Sequence, residues 1–346
     1  MGNHTQDMEV ATITDVARLA GASISTVSRV INKKGGVSKE LEARILDAIE
    51  KLSFRPNTVA QALKAKSTKS LGLIIPSIEN PVFPPLVKAI EDTANSYGFS
   101  TILCNSDGML EEEARYLELL ANKQVDGILL NAIGDYHEKF ETVRKTGLPL
   151  VILGRSIPGF PATCVTIDNH LGAYQATQHL IQTGMRRIAF LFGYLEASSA
   201  INDRFTGYRQ ALQDHGIGFD DVLVAHGDRS FDGGRVATDD LLGRGAAFDA
   251  IFASNDIMAM GCIEKLLESG LRVPQDVSVM GYDDIPMASL YRPHLSTVSS
   301  PVRQFGREAV KALLRIVYSR KDTLSGLSMQ PALVIRQSTR ALSPAE

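Results

Sequence analysis

From Leu71 onward the chain alternates short apolar runs with helical stretches, and that rhythm restricts the fold more than any other feature. LGLIIP is followed by LVKAIEDTANSYG, STILCN by EEEARYLELLANK, and then come VDGILLNA, PLVILG, RIAFLFG, VLVAHG, AIFASN and VSVMGYDD. Strands that are apolar along their whole length must be covered on both faces, and helices between parallel strands provide that cover. So many strands, with a break in rhythm near residues 155–170, predict two similar α/β lobes instead of one large sheet. The last elements, LSTVSSP, VRQFGREAVKALLRIVY and PALVIRQST, let the chain cross between lobes again. The expected core spans 71–340, with one lobe over 71–168 plus 301–327 and the other over 169–300 plus 328–340. Ligands in open parallel sheets bind beyond the carboxyl ends of the strands. Asn131, Arg155, Asn255, Asp256 and Asp283 stand at such ends, and Arg204 follows the loop after RIAFLFG.

The segment before this pattern is different in kind. Residues 12–32 read TITDVARLAGASISTVSRVIN. A first helix is expected from near Thr14, with Val16, Ala17, Leu19 and Ala20 on its apolar side and Gly21 stopping it. Ser23 is a good cap for a second helix over 24–32. There Val27, Val30 and Ile31 must face inward, leaving Ser25, Arg29 and Asn32 as a polar stripe. A third helix capped by Ser38 closes a small core with Leu41, Ile45, Ala48, Ile49 and Leu52. Two short helices joined by a tight glycine turn describe a helix-turn-helix; a generic three-helix module with a solvated face has the same spacing.

Charge separates the two readings only modestly. The chain carries 36 Lys and Arg against 39 Asp and Glu, a net of −3. The first 70 residues hold 11 basic against 7 acidic side chains, and the remainder 25 against 32. A basic head on an acidic body suits a polyanion that meets only the head.

The motifs themselves carry more. ATITDVARLAGASISTVSRVIN, then FRPNTVAQALK, TKSLGLIIPSIENPVFPPLVKAIE, VDGILLN, SNDIMAMG and RVPQDVSVMGYDDIP resemble the lactose-repressor/galactose-repressor (LacI/GalR) family of bacterial transcription regulators along nearly the whole chain. The resemblance implies a small all-α helix-turn-helix head (10–55) plus hinge helix (56–70), followed by a two-lobed α/β periplasmic-binding-protein-like core with parallel sheets. It implies a repressor of near-palindromic double-stranded operator DNA, controlled by a sugar-like small-molecule effector between the lobes. The second helix would enter the major groove with Ile24, Ser25 and Arg29 at base edges. Arg29 suits guanine O6/N7, Ser25 either kind of edge, and Ile24 a thymine methyl. Ser23, Thr26, Ser28 and Asn32 are better placed for phosphates. In the hinge, Asn57 would cap and Lys64 lie near phosphates. Leu63 matches the family position whose leucine wedges between base pairs of the minor groove. Effector contacts fall, by motif match, on Phe83, Asn131, Arg155, Arg204, Arg229, Asn255 and Asp283.

Plainer roles stand beside several of these. Phe83 lies between prolines and fits a core, Asp256 fits a helix cap, and Asp284 a turn cap. The GDRSFDGG loop leaves open whether Arg229 or Phe231 lines the cleft. Three converging arginines would favour an acidic or phosphorylated sugar, unless they pair with Asp168 or Asp283.

Other classes fit less well. No paired-histidine motif, G-x-S-x-G elbow, P-loop or CxxC pair accompanies the carboxylates, so neither catalysis, a cofactor nor a metal is expected. A transport-type sugar-binding protein shares the two-lobe body but not the helix-turn-helix or, given MGNHTQDMEV, a signal peptide. Cys104, Cys164 and Cys262 read as buried small hydrophobes in a reducing compartment. No run approaches the ~18 apolar residues of a membrane span. A cytoplasmic, nucleoid-associated homodimer is therefore expected, since the RALSPAE ending has no leucine-heptad tail. A protein co-effector fits the same frame without any motif of its own. The face of the helix near 85–97 bearing Leu86, Ile90 and Ala94 is the candidate dimer interface, or simply a cover for the sheet.

Overall fold

The structure, a computed structural model, describes residues 11–55, 67–134, 143, 145–157, 162–193, 199–319 and 326–341. The chain divides into two compact units, residues 1–68 and 69–346.

In the first unit three helices form because each has a cap and one apolar stripe. Helix α1 (Ile13–Ala20) opens with a capping box between Thr12 and Asp15 and ends on Gly21, whose left-handed φ of 60° suits a residue without a Cβ. Ser23 caps α2 (Ile24–Ile31) and Ser38 caps α3 (Lys39–Lys51). Val16, Ala17, Ala20, Val27, Val30, Ile45 and Ala48 make the core. Leu19, expected on the apolar side, is 53% exposed: at 3.6 residues per turn it falls to the flank of the Val16–Ala20 stripe.

The second unit has the expected two parallel sheets. Strands β1 (Ser70–Ile75), β2 (Ser100–Asn105), β3 (Gly127–Leu130), β4 (Leu150–Leu153), β5 (Thr163–Ile167) and β11 (Leu327–Met329) run in the order β11-β5-β4-β3-β1-β2. Helices α4 (Phe83–Ser96) and α10 (Val302–Ser319) cover one face, burying Leu86, Ile90, Phe305, Val310 and Leu313 against Leu71, Leu73 and Val151. Helix α5 (Leu110–Asn122) puts Leu117 and Leu120 on the other face. Fully burying one such side chain stabilises by about 1.5–3 kcal/mol. Leu86, Ile90 and Ala94 are buried in this layer; they cover the sheet within one chain and are not a free face for a second copy.

The second lobe holds β6 (Ile188–Gly193), β7 (Val224–Gly227), β8 (Ala250–Ala253) and β9 (Ser278–Met280) in the order β7-β6-β8-β9. Helices α6 (Asn169–Gln182) and α7 (Ser199–Asp214) pack on one face, and α8 (Phe231–Gly243) and α9 (Asp256–Glu268) on the other. Helices α8 and α9 touch backbone to backbone. A Cβ at Gly261 would meet the Phe231 carbonyl at 1.9 Å and one at Gly234 the Met258 carbonyl at 2.2 Å. Glycine at both positions therefore brings the two helix N-termini close together.

The sequence rhythm of parallel strands does not announce the last pair. Strands β10 (Thr297–Ser299) and β12 (Ala332–Val334) are antiparallel and only three residues each. The chain crosses between lobes after β5, after β10 and after β11. Because β11 pairs with β5 through Met329, the last crossing follows that residue.

Candidate functional site

In each sheet the strand order reverses once, between β1 and β3 in the first lobe and between β6 and β8 in the second. The carboxyl ends flanking such a reversal leave a crevice. A cleft lies there, lined from the first lobe by Pro76, Asn80, Val82, Phe83, Asn131 and Ile133, and from the second by Asn169, Arg204, Arg229, Ser254, Asn255 and Asp283.

Arg204 organises the second-lobe wall. Its Nε donates to Asn169 Oδ1 at 2.9 Å, Nη1 to the Ser254 carbonyl at 2.6 Å and Nη2 to Asp283 Oδ1 at 3.0 Å. The guanidinium lies 3.6 Å from the Tyr282 ring centroid. Side-chain exposures of 12% for Arg204 and 7% for Asp283 make this a largely desolvated ion pair, whose disruption leaves an uncompensated buried charge. Burial pushes the Asp283 carboxyl up, and the Arg204 charge and hydrogen bond pull it back. Behind it Asp256 is raised well above the ordinary carboxylate value, by burial first and by the Asp283 charge second.

Caps differ from the expected ones by a single residue. Asn255, not Asp256, caps α9, accepting from the Met258 N–H at 2.8 Å, and its Nδ2 donates to the Arg229 carbonyl at 3.1 Å. Asp256 instead accepts from the Thr297 hydroxyl and the Ile285 N–H, tying β10 and the loop after β9 to the start of α9. Asp168, one expected arginine partner, caps α6 through the Leu171 N–H. Its neighbour Asn169 takes the arginine. Asp284 binds Arg336 at 2.6 Å.

Arg155 departs further. It is buried, 9% exposed, and is absent from the cleft lining. Strand β4 lies one place away from the reversal, and the chain turns at Gly154 (φ 82°) before Arg155. There its charge acts on Glu113 and Asp203. Glu113 is itself fully buried. Its Oε2 accepts from the Ile133 N–H at 3.0 Å, and burial pushes its carboxyl up to about 7. Of the three expected arginines, Arg204 and Arg229 line the cleft, with Arg204 paired to Asp283, while Arg155 follows the lining residue Gly154 and its charge acts on Glu113 and on Asp203, the neighbour of Arg204.

The first unit presents a different surface. Ile24 is 49% exposed, and Ser25 and Arg29 are exposed on the same helix. The Arg29 guanidinium has no hydrogen-bonded partner among the described residues. Ser23 Oγ caps Thr26 and lies 2.8 Å from both the Ser25 and Thr26 hydroxyls. Asn32 Nδ2 bonds the Ser28 carbonyl at 2.7 Å, so part of the expected phosphate set is engaged with its own helix. Asn57, Leu63 and Lys64 lie outside the described residues.

Comparison with known proteins matches both units. Residues 12–57 match the model for bacterial regulatory proteins of the lacI family, and 68–335 that for periplasmic binding proteins and the sugar binding domain of the LacI family. The chain belongs to the LacI family of bacterial regulatory proteins. The transcriptional regulator RegA of Clostridium saccharobutylicum is 36% identical over 94% of this chain and 98% of its own. Among solved structures, the lac repressor dimer bound to operator and the anti-inducer ONPF has a TM-score of 0.86 at 29% identity, covering 96% of this chain and 100% of that one. The transcriptional regulator CelR in complex with cellobiose has a TM-score of 0.73 at 33% identity, covering 95% and 99%.

This LacI-family regulator thus combines a DNA-binding helix-turn-helix unit with a ligand-binding core. Six of its seven expected effector residues line one cleft: Phe83, Asn131, Arg204, Arg229, Asn255 and Asp283. Sequence reasoning missed Asn169, Ser254 and Ser300. Asn169 was within reach, because it follows the apolar strand β5 and opens a helix at a carboxyl end. No helix among the described residues is long and apolar enough to cross a membrane.

Proposed function

We propose that the protein is a homodimeric repressor of a near-palindromic operator, acting in the cytoplasm, and that a sugar-like effector between the lobes controls its affinity for DNA. The observation that carries this reading is the Arg204–Asp283 pair presented on one wall of the cleft opposite Phe83. A fixed guanidinium and carboxylate can respectively donate to and accept from adjacent hydroxyls, while an aromatic face covers the apolar side of a ring. The cellobiose held by the CelR structure supports a saccharide. With Arg204 paired to Asp283, the number of arginines near the cleft does not by itself call for an acidic ligand.

In the head, α2 supplies base readout through Ile24, Ser25 and Arg29, with Ser23, Thr26, Ser28 and Asn32 on phosphates. In the hinge, outside the described residues, Leu63 is assigned to the minor groove and Asn57 and Lys64 to its flanks and phosphates. Effector and operator then change each other's affinity by one common factor.

An electrophoretic mobility shift with operator fragments, repeated with candidate sugars, tests the whole reading. Ligand-dependent capture supports it; sugar binding with no DNA capture would establish the transport-type alternative. Within that assay Arg29→Ala is expected to weaken a cognate half-site by ~1–3 kcal/mol and leave scrambled DNA nearly unaffected. Equal loss on both sequences would move Arg29 to the phosphate set.

A further inference from the structure

The polar groups on the second-lobe wall are engaged with one another, with one conspicuous exception. Arg204 is held by Asn169, Ser254 and Asp283. Asn255 bonds Met258 and the Arg229 carbonyl. Arg229 makes no side-chain hydrogen bond among the described residues, and its Nε is buried without a partner. The adjacent Asp228 carboxylate makes no hydrogen bond to it among the described residues: its Oδ1 accepts from both the N–H and the hydroxyl of Ser230, and it acts on Arg229 through its charge alone.

The fold nevertheless holds Arg229 in place. Its φ is 71°, a left-handed conformation that residues with a Cβ rarely adopt, and the Asn255 amide secures its carbonyl. A Cβ at Gly193 would stand 2.7 Å from Arg229 Cγ and 2.8 Å from Ser254 Oγ, so the glycine ending β6 makes room for the arginine stem. At the far end, a Cβ at Gly108 would be 3.7 Å from Arg229 Nη2. Gly108 follows β2 in the first lobe, so the guanidinium reaches across the cleft. Of the charged residues lining it, Arg204 and Asp283 cancel, and Arg229 leaves one net positive charge.

A partly buried guanidinium whose Nε is shut off from water with no hydrogen-bond partner is unfavourable; burial lowers its pKa from the ordinary value, and the neighbouring Asp228 charge offsets this only in part. Its planar fork matches carboxylate and phosphate oxygens. We infer that the cleft takes an effector bearing one oxyanion, a carboxylate or a phosphate on a sugar-like frame, and that Arg229 is the residue that binds it and selects for its charge. The inference rests on the effector role proposed for the cleft. Capture of operator DNA by the ligand-free protein reads the regulatory role separately, so the two can fail independently.

Inorganic phosphate is the first probe. In full-length protein labelled with 15N-arginine, phosphate should move the Arg229 Nε–H resonance along a saturable curve; the resonance is assigned by its loss in Arg229→Gln. Phosphate should also raise the unfolding temperature of the wild type and of Arg229→Lys, but not of Arg229→Gln. A matched series of neutral aldoses, their aldonates and their phosphate esters then follows by calorimetry. A charged member should bind roughly 10- to 100-fold tighter than its neutral parent, and which charged member does so separates carboxylate from phosphate. The resonance is read in the wild type, so a variant that fails to fold leaves the test intact. An Arg229 resonance that ignores phosphate, an Arg229→Gln protein still stabilised by it, or neutral aldoses bound as tightly as their charged partners overturns the inference.

Discussion

The two walls of the cleft are built from opposite chemistry. The first lobe presents Pro76, Val82, Phe83, Leu86, Ile133 and Phe305, with Asn80 and Asn131 as its polar members. Every charged lining residue, Arg204, Arg229 and Asp283, belongs to the second lobe. Directional bonds need fixed partners, and the second lobe supplies them through helix caps and a shared network. An apolar wall needs only shape, so it can close over whatever the network has already oriented. The difference assigns recognition chiefly to one lobe and coverage to the other.

Breaking the polar wall should have the largest effect. Arg204→Leu leaves Asp283 buried without its partner and beside Asp256, a loss of about 3–5 kcal/mol in urea unfolding. Adding Asp283→Leu to that variant should restore much of the stability and none of the ligand binding. A single variant that unfolds like the wild type would mean that the pair does not hold the wall.

Glu113 tests whether the first lobe has a hidden polar dependence of its own. Its carboxyl titrates near 4.5 in an unfolded chain and is raised to about 7 in the fold. Below pH 4.5 both states hold the proton, and between 4.5 and 7 only the folded state does. Stability from this group is therefore present at low pH and lost as pH rises to about 7. Glu113→Gln should remove that slope and gain ~2–3 kcal/mol at pH 8, where the native charge is most costly. Identical pH profiles for the two proteins would place the Glu113 carboxylate in contact with more water than its burial implies.

Phe83→Ala should have the smallest effect, weakening the effector by ~1–2 kcal/mol, the order expected for lost aromatic cover. The network behind Arg204 should stay intact, so the ligand's charge preference should not change. A changed preference would show that the apolar wall also discriminates.

Most of this architecture was legible because its central strands are buried on both faces and read as unbroken apolar runs, such as LGLII and AIFA. What escaped depends on contacts between distant residues or on shifts of one position. Arg204 and Asp283 meet across 79 residues, and periodicity carries no information about that pairing. Asn255 and Asp256 are both competent caps, and only the packing of β10 on α9 decides which one turns inward. Arg155 follows a strand just as Asn131 does, yet Asn131 is among the lining residues and Arg155 sits one residue past the lining Gly154, its charge acting on Glu113 and Asp203. Leu86 and Ile90 had the spacing of an interface and of a core, and α10 occupies that face.

The closing strands also bear on how the molecule is made. The first sheet is completed at its edge by β11, and the second lobe by β12 and by Ser338, whose backbone and hydroxyl bond Val279 and Ser296. During synthesis the three-helix head has all its core residues once Phe54 has left the ribosome, and it can fold as a unit. Neither lobe can close until the final twenty or so residues emerge. A nascent regulator would thus carry a finished DNA-reading head long before it has a ligand cleft with which to be controlled.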